Sequence, residues 1–192
     1  MRIIAGTHRG RRIEAPSGTR TRPTSDRVRE GAFSRVEALG GGVPAAPVLD
    51  LFAGTGALGI EALSRGATHA VFCESDRLAC AVLRSNLVSL GLAERATVVH
   101  DDVFAAVRRG SFGKGGFALL FLDPPYRIDK SEVRRAIERL VRTEALLGGA
   151  LLVWEHAASD VATWPTEALR DLGERRYGDT TVSIARLEGG AG

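Results

Sequence analysis

"VLDLFAGTGALG", residues 48–59, decides the fold. The run from Val48 to Ala53 suits a buried strand and the run from Ala57 a helix, with Gly54, Gly56 and Gly59 between and within them in the spacing G-x-G-x-x-G. Glycines at such a junction let the turn tighten, let a ligand approach the backbone, and let the helix start aim its free amides at that ligand. About twenty residues further on, Glu74 closes the next apolar run, where a carboxylate accepts both hydroxyls of a ribose.

Outward from this stretch the pattern repeats. Strands are expected at 48–53, 69–74, 96–100, 117–123 and 150–155, and helices near 57–65, 76–90, 102–109 and 130–142. Such alternation implies right-handed crossovers and a parallel sheet covered on both faces. "ALRDLGERRYG" and "TTVSIARLE" then flank a Gly-Asp turn with no helix between them, which predicts a closing antiparallel hairpin. At the front, "RIIAG" and "GRRIEAP" around "THRG" predict a hairpin over residues 2–15. Thr24 or Ser25 can cap a helix to Leu39 that places Val28, Ala32, Phe33, Val36 and Leu39 on one face. "GGGVPAAP" ends it, so the expected division is a front section at 1–40, a main domain at 41–188 and a disordered tail at 189–192.

With 44% hydrophobic and 26% charged residues, the 192-residue chain reads as an ordinary globular protein rather than a disordered one. No apolar run approaches the roughly 20 residues of a membrane span. Cys73 and Cys80 lie too far apart for a C-x-x-C pair and suit a reducing, cytoplasmic setting. His8, His69, His100 and His156 show no metal-ligand spacing, so no metal is expected. Gly6, Gly10, Pro16 and Gly18 interrupt any amphipathic targeting helix at the front, which reads as part of the mature protein. The net charge of +3 is modest but lopsided: from Met1 to Arg22 the cations Arg2, Arg9, Arg11, Arg12, Arg20 and Arg22 face Glu14 alone. The planar fork of arginine suits phosphate, and a solvated basic surface is the alternative.

The glycine loop alone does not separate an NAD site from an S-adenosylmethionine site. Asp50, just before the glycines, favours the second: it can answer an ammonium group, whereas an acid is unhelpful beside a pyrophosphate. Capping of backbone amides is the other reading of Asp50. In "VVHDDVF" Asp102 can accept the exocyclic amine of adenine while Val103 or Phe104 packs on the ring, or it can simply cap the helix that follows. The candidate donor contacts are Asp50, Phe52, Ala53, Gly54, Gly56, Ala57, Glu74, Ser75, Asp102 and Val103.

"ALLFLDPPYRID", residues 118–129, runs a buried strand into Asp123, Pro124, Pro125 and Tyr126. The fourth strand ends beside the crevice where open α/β sheets bind ligands, which puts this rigid turn next to the donor's methyl group. An exocyclic base amine is a poor nucleophile, because its lone pair is delocalised into the ring. Hydrogen bonds from its N–H groups to Asp123 and to the Pro124 carbonyl would localise that pair and aim it, and Tyr126 offers a face for an extruded base.

"RIIAG" with "GRRI", "TRPTSDRVRE", "DLFAGTGALGIEALSRGA", "ESD", "DPPY" and "RRYGDT" span nearly the whole chain. In these stretches it resembles the class I S-adenosylmethionine-dependent methyltransferases, and within them the RsmD family, which methylates a guanine N2 in bacterial small-subunit ribosomal RNA. The resemblance implies a Rossmann-like α/β fold, a mostly parallel seven-stranded sheet with a C-terminal antiparallel hairpin and a small N-terminal hairpin and helix. It implies that Gly54, Gly56 and Glu74 meet the donor, that Asp123 to Tyr126 form the catalytic turn, and that residues Arg22 to Glu30 close over donor and RNA. With the front hairpin this makes Arg9, Arg11, Arg12, Arg22, Arg27 and Arg29 the candidate RNA contacts. The implied partner is 16S rRNA in a partly assembled small subunit, met by a monomer. Gly31 stands where relatives would carry a bulkier helix former. Glu61, Ser64 and Arg65 share the resemblance but read as exposed or capping residues of their helix, and Trp154 and Trp164 as core or rim. The rival readings are an amino-methyltransferase of DNA adenine or protein glutamine, and a catalytically silent rRNA-binding assembly factor.

Overall fold

Four residues suffice for the strand that leads into the glycine loop. In β1 (Val48–Leu51) every side chain is buried, because helices cover the sheet on both sides. A computed structural model describes residues 1–15, 26–113 and 116–189. After α1 (Asp26–Gly40) and β1 the chain alternates through α2 (Ala57–Ser64), β2 (Ala70–Glu74), α3 (Arg77–Leu90), β3 (Ala96–His100), α4 (Val103–Arg109), β4 (Phe117–Leu122), α5 (Lys130–Arg142) and β5 (Leu146–Ala157). It closes with β6 (Leu169–Tyr177) and β7 (Thr180–Leu187). The seven strands lie in the order β3-β2-β1-β4-β5-β7-β6, parallel from β3 to β5 and antiparallel where β7 pairs with β5 and β6.

Local chemistry sets the helices. Val133, Ala136, Ile137 and Leu140 give α5 a buried stripe at helical spacing. Asp76, Asp102 and Asp129 cap α3, α4 and α5 by accepting from Ala79, Ala105 and Ser131 amides. One sheet face packs under α1, α2, α3 and the front segment, with Phe33 and Phe121 in ring contact at 5.4 Å. The other face, with Leu49, Leu51, Leu120 and Trp154, packs under α4 and α5.

Two expectations need correction. β5 starts at Leu146 instead of residue 150, because a bulge that includes Gly148 and Gly149 lets it keep pairing with β4 across a register shift between Phe117 and Leu119. The front hairpin is a single bridge, Arg2 with Arg12, and not two strands. Around that bridge the Ile3 amide donates to Arg11, the Gly10 amide to Ile3 and the Ile13 amide to Met1, but the ladder goes no further, and the amides of Ile4 and Ala5 donate to the Glu61 carboxylate of α2. Ile3, Ile13, Val28 and Val36 enter the same hydrophobic cluster as Ile60, Phe72 and Ile184, so the sections on either side of residue 40 share one core. The expected Thr24 or Ser25 cap lies outside the described residues, as do most of the expected tail and Arg22. No helix among the described residues is long and apolar enough to cross a membrane.

Candidate active site

The loop after β1 is held in unusual backbone. Phe52, a bulky residue, sits in the left-handed region at φ 64, a conformation that costs of order 1–3 kcal/mol and is kept only where surroundings enforce it. Its ring packs edge-on against Phe104 at 5.7 Å. The three glycines divide the work. A Cβ on Gly56 would come within 2.3 Å of Leu83 of α3, and one on Gly59 within 2.3 Å of Phe72 of β2, so Gly56 lets α3 pack against the loop and Gly59 admits α2 to the sheet. Gly54, at φ 54, fronts open space. Its amide donates to Glu74 at 2.8 Å, and the same carboxylate accepts the Asp76 amide at 2.7 Å. Glu74 thus ties the loop to the end of β2 and keeps an oxygen-rich rim beside exposed Ser75.

Asp50 lies beneath this loop, only 1% exposed, accepting the Gly59 amide at 2.9 Å. Burial pushes its carboxyl up to about 8; the Gly59 hydrogen bond opposes that, and the charges of Asp123 and Glu74 add to it. The capping reading is therefore the contact seen; burial closes the direct route to a donor ammonium and leaves the expected route through water, and the group shapes the loop from below. Ala53 is buried and Ala57 half-buried at the helix start.

Across the crevice, exposed Asp102 caps α4, and Asp101 pairs with Arg109 and accepts the Asp102 amide. Val103 is turned into the lower core at 3% exposure, so its side chain cannot cover a ring. Half-buried Phe104, beside Phe52, is the residue that can.

Strand order reverses between β1 and β4, the place where such sheets open a crevice at their carboxyl ends. The turn after β4 stands there, with Leu122 paired to Leu51 on one side and Trp154 on the other. Asp123 is half-buried, Pro124 buried, and Pro125 and Tyr126 exposed. The Ile128 amide donates to the Pro125 carbonyl at 2.9 Å, and the Tyr126 phenol meets the Thr180 hydroxyl at 3.0 Å. Asp123 is close enough to Asp50 for the two charges to interact, which links the turn to the glycine loop.

The front arginines divide. Arg9 and Arg27 are exposed, Arg12 is paired with Glu14 at 3.2 Å at the surface, and Arg11 donates to the Ser89 carbonyl. Arg29 is not a surface residue: fully buried, it meets Asp26 at 3.0 Å, Glu61 at 3.6 Å and the Arg2 carbonyl, which removes it from the RNA contacts. Glu61 and Ser64 are buried too, against the expectation of exposure. Ser64 accepts the His8 amide and donates to the Ala5 carbonyl, while Arg65 bridges Glu61 at 2.8 Å and Glu37. The signal was in the helix itself: polar residues spaced three and four apart on an otherwise apolar helix mark a face that must meet a polar element. Trp154 is core, and Trp164 packs on it at 5.9 Å.

A family model described as "Conserved hypothetical protein 95" matches residues 1–186. YlbH of Bacillus subtilis (strain 168), provisionally named an rRNA methyltransferase, is 37% identical over 192 residues, 98% of this chain and 100% of that protein. Ribosomal RNA small subunit methyltransferase D of Escherichia coli (strain K12) is 39% identical over 127 residues, 66% of this chain and 61% of that protein. The solved structure of yhhF from Escherichia coli, provisionally described as a methyltransferase, superposes with a TM-score of 0.83 at 31% identity, covering 99% of each chain. The open face of Gly54, the Glu74 rim and the Phe52–Phe104 pair fit an adenosine-bearing methyl donor. With its parallel sheet and carboxylate turn at the switch point, the chain belongs to the conserved hypothetical protein 95 family, the RsmD family of class I S-adenosylmethionine-dependent methyltransferases.

Proposed function

We propose that the protein methylates the exocyclic N2 of a guanine in 16S rRNA of a partly assembled small ribosomal subunit, working as a cytoplasmic monomer. The observation that carries this reading is the Asp123–Tyr126 turn at the sheet's switch point, beside the glycine loop. The names of the relatives, which refer to rRNA and to the small subunit, support the substrate class. S-adenosylmethionine supplies an electrophilic methyl group when bound. Glu74 and Ser75 would hold its ribose, Phe52 and Phe104 its adenine with Asp102 at the rim, and the Gly54 side of the loop its amino-acid end.

The remaining work falls to the turn. Asp123 and the Pro124 carbonyl accept the two N–H groups of the target amine, returning its lone pair from the ring to nitrogen and pointing it toward the donor. The prolines fix the acceptors, since each sets its own φ and restricts the residue before it. Once alkylated, the cationic amine loses a proton readily, to Asp123 or to water, so no strong base is needed. The extruded base stacks on Tyr126, worth about 1–3 kcal/mol in such contacts.

The test is to incubate the protein with radiolabelled S-adenosylmethionine and unmodified small subunits, digest the RNA and identify the labelled nucleoside. N2-methylguanosine at one position is expected. Label on DNA or protein under matched conditions, with none on the subunit, overturns the substrate reading and leaves the methyl-transfer chemistry.

A further inference from the structure

Tyr126 is 54% exposed, yet its ring is not free. The phenol oxygen lies 3.0 Å from the hydroxyl of Thr180, a residue 54 positions later in the chain. Thr180 is itself 6% exposed and is the first residue of β7, which lies between β5 and β6. It pairs with Ala157 on one side and Tyr177 on the other, and the Ala158 amide donates to Asp179 at 2.9 Å just before it. A β-branched side chain in a central strand has little rotamer freedom. The Thr180 hydroxyl is therefore a fixed point, although it belongs to "RRYGDT", a stretch no step of the methyl transfer requires.

The base of the Tyr126 side chain is fixed as well. Its backbone follows two prolines, and the turn is closed by the Ile128 amide on the Pro125 carbonyl at 2.9 Å. A phenol ring held at its Cβ and at its oxygen keeps only rotation about its long axis, and because a phenol's O–H and accepting lone pair lie close to the ring plane, the hydrogen bond to Thr180 favours one setting of that rotation and its equivalent half-turn. We propose that Thr180 is a positioning residue for the target base: by anchoring the Tyr126 phenol it sets the plane on which the extruded base stacks. The inference rests on the base-stacking role of Tyr126 in the function proposed above. It assigns the tyrosine hydroxyl to orientation and leaves proton transfer to other groups. Stacking on a preset plane avoids the cost of ordering the ring at the moment of binding.

The chain contains only two tyrosines, Tyr126 and Tyr177, so tyrosine-ring-labelled protein gives a simple NMR spectrum. In the wild type the Tyr126 ring should be ordered, in Thr180→Val mobile, and in Thr180→Ser ordered again. In subunit methylation, Thr180→Val and Tyr126→Phe should each raise the KM for RNA by about fivefold, the worth of one ordinary hydrogen bond, and the double variant no further. Thr180→Ser should stay within about twofold of wild type on the same scale. Calorimetric donor affinity should be the same in all four. Losses that multiply in the double variant, or a Tyr126 ring equally ordered without the Thr180 hydroxyl, overturn the inference. A wild type that transfers no label to subunit RNA overturns the function it rests on, and the two failures are thereby separate.

Discussion

Gly31 is explained by its neighbour and not by its helix. A Cβ there would lie 2.1 Å from the Tyr177 hydroxyl, so the side chain missing from α1 is the space that the β6 tyrosine fills. Nothing local in "REGAF" announces this, because the two residues meet only across the fold. Asp50 shows the same limit from the other side. Its place before the glycines was legible, but its depth was not, and depth changes its chemistry. Its carboxyl is raised from the ordinary 3.8 to about 8, so the folded chain holds the proton more tightly than the unfolded one. Its contribution to stability is whole below about 3.8 and is lost as pH rises through about 8. Asp50→Asn keeps an acceptor for the Gly59 amide and removes the titration. The variant should lose less stability than wild type between about pH 5 and about pH 8 in urea unfolding; identical pH profiles would contradict the raised carboxyl.

Among the elements, the alternating strands and helices from β1 to α5 were readable to within two residues, β1 ending at Leu51 and not at residue 53, since hydrophobic period and capping acids are local signals. The front segment was less so, because its arms bond to each other only at Ile3, Gly10 and Ile13, while the amides of Ile4, Ala5, Thr7 and His8 are taken by α2. Glu61 is the centre of that arrangement, taking two backbone amides, Arg65 and buried Arg29. Glu61→Ala should cost about 3–5 kcal/mol, as expected when one partner of a buried ion pair is removed. Hydrogen exchange at Ile4 and Ala5 should accelerate in step. Glu61→Gln, which keeps the acceptor but not the charge, should fall between. A thermal midpoint that Glu61→Ala leaves unmoved would show that the front segment docks by its apolar residues alone.

For the whole molecule, the sheet's topology and the position of the carboxylate turn were legible because both follow from chain order, whereas the sorting of the arginines required burial. Among the candidates in the described residues, Arg29 serves the interior and Arg11 donates to a carbonyl of α3, and exposed Arg9, Arg12 and Arg27 are the ones we propose meet a polyanion. Replacing these three with glutamine should weaken RNA binding and flatten the dependence of log affinity on log salt, by about 0.7–0.9 for each phosphate that is no longer neutralised. Parallel salt slopes would return them to plain solvated surface. The sheet order carries a different kind of consequence. A ribosome makes β6 before β7, yet β7 lies between β5 and β6, so β6 has no seat until its successor has been inserted. The glycine loop and the carboxylate turn emerge earlier still, and Thr180 reaches Tyr126 only with that last insertion. In this order of synthesis the glycine loop and the carboxylate turn are made while the chain is still being translated, but the Tyr126–Thr180 contact, and with it the stacking plane proposed above, can form only after β7 has been made.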